Sequence, residues 1–206
     1  FTRGRNGPEG TLVIRLAQEQ SMLEGTPLFV GFLDFGTFFM SCVKDIQWEV
    51  EKWTGVDPSV TAVVQELHRE VRGRYETAHG LTEPFHIDRG TGQGCVNGAV
   101  RAKLQIAVIQ RMVARHVKGY KFAGASPAVP QVVYADDCAY ICHDMASLQL
   151  AFDTSWLVAK VCGLKVMIKD KKKTAYMATY WEGSVEKDVT GYELRLPDGR
   201  TVPQIL

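Results

Sequence analysis

The stretch Tyr134-Ala135-Asp136-Asp137, set between Gln131-Val132-Val133 and Cys138-Ala139-Tyr140-Ile141-Cys142, constrains this chain more than any other. Two short runs of strand-forming residues flank two adjacent carboxylates. The runs read as the arms of a hairpin, which would hold both acids at its tip on a rigid base. A further apolar run, Leu28 to Leu33, ends on Asp34. Its near-continuous apolarity is that of a strand buried on both faces.

The remaining elements follow from periodicity and punctuation. Residues 1–10 are rich in Gly and Arg and read as a loop, and Pro8-Glu9 opens a helix through about Leu23, with Leu12, Leu16 and Leu23 among its apolar positions. Helices are expected over 43–53 and from Asp57-Pro58 to about Val71, the latter with Val60, Val63, Val64 and Leu67 inward. Residues 72–89 read as a hairpin turning at His79-Gly80. The loop Gly90-Thr91-Gly92-Gln93-Gly94 feeds a long helix from about Asn97 to Val117, with Leu104, Val108 and Met112 at i, i+4 spacing. Another helix is expected from Met145 to Cys162, with Leu148, Phe152, Leu157 and Val161 as core candidates and Gly163 as its stop. Strands over 164–168 and 174–179, and a hairpin around Pro197-Asp198-Gly199, complete the chain. This order is an α+β pattern, compatible with a split βαβ antiparallel sheet backed by helices.

The chain has 206 residues, 46% of them hydrophobic, enough for one cored domain or one with an appendage. The net charge of +1 does not by itself mark a nucleic-acid binder. Local charge says more. No acidic residue lies between Asp88 and Asp136, a stretch that carries Arg89, Arg101, Lys103, Arg111, Arg115, Lys118 and Lys121. A second basic cluster is Lys165, Lys169, Lys171, Lys172 and Lys173. Such runs are commonly solvated faces; flanking the acids in sequence, they also read as a phosphate track. The five cysteines are odd in number and lack CxxC spacing, which argues against a disulfide scaffold or structural zinc and for a reducing compartment. No signal peptide or membrane-length apolar run is present. The expectation is an intracellular protein, nuclear or cytoplasmic, with no membrane partner. The start, Phe1-Thr2-Arg3, reads as that of an excised piece.

Two-metal phosphoryl transfer needs acids that hold two divalent ions about 3.5–4 Å apart. Magnesium prefers hard oxygen ligands and keeps waters, so two or three carboxylates suffice. Asp34 at a strand end and Asp136-Asp137 at a hairpin tip converge if their strands are sheet neighbours. An isolated Asp-Asp pair is more often a polar turn; here the flanking strands are too apolar for the surface. A glycine loop before a helix could present amides to a nucleotide, a weak signal alone. Phe38 and Phe39 either pack in the core or stand beside a sugar or base.

Taken together, these blocks resemble a reverse transcriptase of the non-LTR retrotransposon and group II intron type, in that family's order along most of the chain. Phe1-Thr2-Arg3-Gly4-Arg5-Asn6 is similar to the fingers-side FRxGRS stretch. Phe32-Leu33-Asp34-Phe35-Gly36-Thr37-Phe38-Phe39 resembles the first catalytic block, Gly90-Thr91-Gly92-Gln93-Gly94-Cys95 the second, and Tyr134-Ala135-Asp136-Asp137 the signature. Gly163-Leu164-Lys165-Val166 and Lys173-Thr174 resemble the block that follows. The resemblance implies a polymerase palm with part of the fingers over 1–206, truncated at both ends and without a thumb. It implies RNA-templated DNA synthesis from a DNA primer and dNTPs, with two magnesium ions or manganese in their place. Asp34, Asp136 and Asp137 would be catalytic and metal-binding, with the Phe35 backbone carbonyl as a further ligand. Phe39 would exclude the 2′-hydroxyl, while Arg5, Gln93, Gly94, Tyr134 and Lys173 would contact template, nucleotide or leaving phosphate. The chain departs from the family pattern at Met40, Gly92, Gly98-Ala99 and Met167. The alternative is a catalytically degenerate, element-derived RNA-binding domain.

Overall fold

The structure, a computed structural model, describes residues 7–91, 97–124, 127–168, 173–183 and 185–205. It opens with helix α1 (Gly7–Glu24), strand β1 (Leu28–Leu33) and a two-residue strand β2 (Phe35–Gly36). Three helices follow: the single turn α2 (Phe38–Ser41), α3 (Lys44–Thr54) and α4 (Pro58–His68). Two nested pairs of short strands come next, β3 (Arg72–Gly73) with β6 (Phe85–His86) outside β4 (Glu76–Thr77) with β5 (Gly80–Leu81). Helix α5 (Gly98–His116) leads to the hairpin β7 (Gln131–Tyr134) and β8 (Asp137–Cys142), and then to helix α6 (Met145–Val161). The chain ends with β9 (Lys165–Val166), β10 (Ala175–Glu182), β11 (Val185–Asp188), β12 (Leu194–Arg195) and β13 (Thr201–Val202).

The fold is α+β, built on one five-stranded antiparallel sheet in the order β11-β10-β1-β8-β7. Central β1 is the apolar Leu28–Leu33 run, and only Phe32 of it is not fully buried. It is covered on both faces. Gly31 opens one face: a Cβ there would stand 2.4 Å from Phe152 and 2.8 Å from Leu148, so only glycine lets α6 lie this close to the sheet. Phe29, Leu33, Tyr140 and Cys142 join α5 and α6 in the main core on that face. Alternate residues, Leu28, Val30 and Ile141, pack with Ala17 of α1 in a smaller core on the other face.

The elements lie close to where periodicity puts them, but several buried faces differ. In α4 only Thr61 and Val64 are buried; Val60, Val63 and Leu67 are exposed. On the buried side of the helix Thr61 Oγ1 donates to Glu51 Oε2 of α3 at 3.1 Å, and the apolar stripe lies on the outward side. The helix also stops at His68, short of Val71. In α5 the buried line is Ala102, Ile106, Ile109 and Val113, whereas Leu104, Val108 and Met112 are half-buried. In α6 Leu148 and Phe152 are fully buried, and Leu157 and Val161 are exposed. In α1 Leu12, Leu16 and Leu23 are exposed, while Ala17 and Ser21 face the sheet. The β4–β5 turn falls at Ala78-His79, one residue earlier than read.

Gly163 ends α6 as expected. It stands at φ +77, and the Leu164 N–H reaches back to the Ala159 carbonyl at 2.8 Å. Cys42, Cys138, Cys142 and Cys162 are free and buried. Burial pushes the Cys138 and Cys142 thiols up to about 12, so they are packing groups rather than nucleophiles. Among the described residues no helix is long and apolar enough to cross a membrane.

Candidate active site

Two acids about a hundred positions apart in the chain meet at one end of the sheet. β1 pairs with β8 so that Leu33 lies opposite Cys138, and the next residue on each strand is an acid, Asp34 and Asp137. Both line a groove of about 840 Å³ whose far wall is the start of α1, from Pro8 to Arg15. Phe32, Val132 and Ala175 give the groove an apolar floor, and Lys173 stands beside the acids.

The Asp34 backbone is braced from two directions. Its N–H donates to Thr174 Oγ1 at 3.1 Å, and its carbonyl accepts from the Met167 N–H at 3.0 Å. Thr174 is fully buried, so this brace is anchored in the core. The side chain is thereby aimed at the groove, where Asp34 Oδ2 accepts from Lys173 Nζ at 3.2 Å. Thr174 was visible in the sequence only as the neighbour of Lys173; nothing in its type marked it as the support of an acid 140 positions away.

The hairpin tip separates the paired acids. Tyr134 and Asp137 are cross-strand partners, so Ala135 and Asp136 form the two-residue turn. Ala135 has φ +54, a left-handed conformation that costs a non-glycine residue energy. Asp137 opens into the large groove. Asp136 lines a second cavity of about 230 Å³ with Phe39, Ala135 and the α5 residues Ala102 and Ile106. Tyr134, half exposed, borders both. Among the described residues no three His, Cys, Asp or Glu side chains close into a metal-binding group. The structure therefore brings Asp34 and Asp137 together and sets Asp136 on the other side of the turn.

The acids nevertheless act on one another. Partial burial raises the Asp137 carboxyl above the usual carboxylate range; the negative charges of Asp136 and Asp34 add to this, and Lys173 offsets part of it. The donor set fits magnesium: the side-chain donors are all carboxylate oxygen, and this ion binds through one or two carboxylates plus water and phosphate. A cation is already in place on Asp34, the ammonium of Lys173.

The aromatic pair after Asp34 divides its roles. Phe38 is buried and packs on Phe35, with ring centroids 5.8 Å apart. Phe39 stands edge-on to Phe38 at 5.7 Å and faces the Asp136 cavity. Its position is set by the loop before α5. The Thr91 N–H donates to the Phe39 carbonyl at 2.8 Å, and the Gly90 N–H to that of Cys42 at 2.8 Å. Gly90 has φ +95, and a Cβ there would come within 2.9 Å of the Phe39 carbonyl oxygen, so the contact requires glycine. Thr37, which starts α2, is the other non-glycine residue with positive φ among those described. Phe35 lies in β2 opposite Val166, with its ring in the core. Arg5, Gln93 and Gly94 lie outside the described residues, as do Lys169, Lys171 and Lys172 of the second basic cluster.

No protein-family model matches this chain, and no curated protein matches it.

Proposed function

We propose that this chain is the palm, with part of the fingers, of an RNA-directed DNA polymerase that transfers nucleotides by the two-metal route. The observation that carries this reading is the convergence of Asp34 and Asp137 from neighbouring strands on one groove. When bound, magnesium would lower the pKa of the primer 3′-hydroxyl and neutralise charge on the departing pyrophosphate. The chain's own contributions are positional. Asp34, braced by Thr174 and Met167, and Asp137, rigid at the base of the turn, would hold the metal through oxygen. Asp136 and Phe39 share the smaller cavity, where Phe39 would limit the room beside the sugar of a nucleotide. The sequence resemblance supplies the templates and substrates: RNA, a DNA primer and dNTPs.

The test is primer extension on an RNA template with magnesium, in a longer chain carrying this segment. The expected result is extension that Asp34→Ala or Asp137→Ala abolishes. Extension that survives both substitutions overturns the reading.

A second reading, a non-catalytic RNA-binding domain, draws on the placement of Asp136 in a cavity apart from Asp34 and Asp137. RNA binding that weakens steeply with salt, without any extension, selects it.

A further inference from the structure

Lys173 and Asp34 lie 139 positions apart, yet Nζ stands 3.2 Å from Oδ2. The two ends of this pair are held very differently. The Asp34 side chain is 19% exposed and its backbone is braced, whereas the Lys173 side chain is 50% exposed. The stem of Lys173 cannot leave, because the adjacent Thr174 is fully buried and bonded to the Asp34 main chain. Its ammonium can, because a half-exposed ion pair contributes little and the four-carbon stem is flexible. Lys173 stands beside two carboxylates of the groove, Asp34 and Asp137, with Arg15 on the far wall, and the negative charges of Asp34 and Asp136 both reach Asp137.

We propose that Lys173 is a tethered counter-ion that occupies Asp34 until a divalent cation displaces it, so that this lysine sets how tightly the site takes metal. The proposal rests on the metal-site reading given above and goes beyond it, because it gives Lys173 a task before any nucleotide arrives. The ammonium and the metal compete for the same oxygen, so each weakens the other's hold on Asp34. In the metal-free protein the lysine screens Asp34 from Asp137 and so lowers the repulsion between two strand ends that the fold forces together. Its role is positional: it acts on the metal through Asp34.

The experiment is a titration with Mn²⁺, following the free ion by electron paramagnetic resonance, on the full chain and on Lys173→Met, Lys173→Arg and Asp34→Asn. No turnover is needed. Loss of a half-exposed competitor should tighten Mn²⁺ binding about two- to fivefold in Lys173→Met. Lys173→Arg, which keeps the charge, should stay within about twofold of the parent, and Asp34→Asn should weaken binding. Circular dichroism checks that each variant is folded; position 173 is half exposed, so the methionine is tolerated. Equal or weaker binding by Lys173→Met, with Asp34→Asn still weakened, overturns the counter-ion role and leaves the metal site standing. Absence of Mn²⁺ binding in the parent, or binding indifferent to Asp34→Asn, overturns both.

Discussion

Arg101 of α5 and Glu51 of α3 meet inside the protein, with Nε 2.8 Å from Oε1 and each side chain no more than 6% exposed. The guanidinium also lies over the Trp48 ring, 3.9 Å from its centroid. Glu51 accepts a further hydrogen bond from Thr61, so this one carboxylate ties three helices together. Truncating one partner strands the other charge away from water. Arg101→Ala should therefore cost about 3–5 kcal/mol in urea unfolding. Replacing both partners by methionine should recover most of that loss, because no charge is then left buried. A double variant as unstable as the single one would contradict this account.

Gln105 lies one turn further along α5, fully buried, and neither atom of its amide has a partner among the described residues. An orphaned buried polar group carries its desolvation cost with nothing returned. Gln105→Met keeps length and flexibility and should raise stability by about 1–3 kcal/mol. The measurement is the shift in denaturation midpoint at unchanged slope. A loss of stability would mean that the amide has a partner, such as a buried water.

Helices α3 and α5 also mark where the sequence was readable and where it was not. The three strands β1, β7 and β8 were legible because Leu28–Leu33 and the two arms around Ala135-Asp136 are apolar runs with sharp ends; the exposed, charged edge strand β11 carries no such run and was not. The pairing of β1 with β8 was a guess from chemistry, since no local signal reports which strand lies beside which. Helix positions were legible from caps, as at Asp57, whose side chain accepts from the Ser59 N–H at 2.8 Å. Helix faces were not. In α4 the apolar stripe Val60-Val63-Leu67 is the better hydrophobic face, yet it is exposed, and the side with Thr61 and Val64 is the buried one. In α5 Arg101 belongs to the basic stretch that suggests a solvated face or a phosphate track, yet it is buried, and so is Gln105. Periodicity cannot see a polar residue whose partner lies fifty positions away. At the site, Asp34 and Asp137 were legible as strand-end acids. The opposite facing of Asp136 was not, because it depends on the dihedral angles of a two-residue turn.

That turn can be tested at Ala135. Its φ of +54 costs an alanine about 1–2 kcal/mol, partly offset on replacement by the extra chain entropy of glycine. Ala135→Gly should therefore stabilise by under about 1 kcal/mol. Ala135→Val, β-branched and intolerant of positive φ, should destabilise by more than about 1 kcal/mol. Thermal unfolding of the two variants ranks them. If valine proves as stable as glycine, the hairpin tip is not held in this conformation.

Asp137 gives the fold a pH signature in the absence of metal. Its carboxyl is raised, first by burial and then by Asp136 and Asp34, so the folded protein binds this proton more tightly than the unfolded chain. Stability from this group is therefore full at low pH and falls as pH rises through the window between its unfolded and folded values, just above the ordinary carboxylate range. At neutral pH the ionised carboxylate is a burden on the fold. Asp137→Asn should then be more stable than the parent at neutral pH, and the gap should close as pH is brought below that window. Saturating magnesium should narrow the same gap at neutral pH, because it neutralises the charge that the asparagine removes. Urea unfolding across the acid range, with and without magnesium, measures both effects. A gap that stays constant with pH would place Asp137 in open solvent, out of reach of the other two acids.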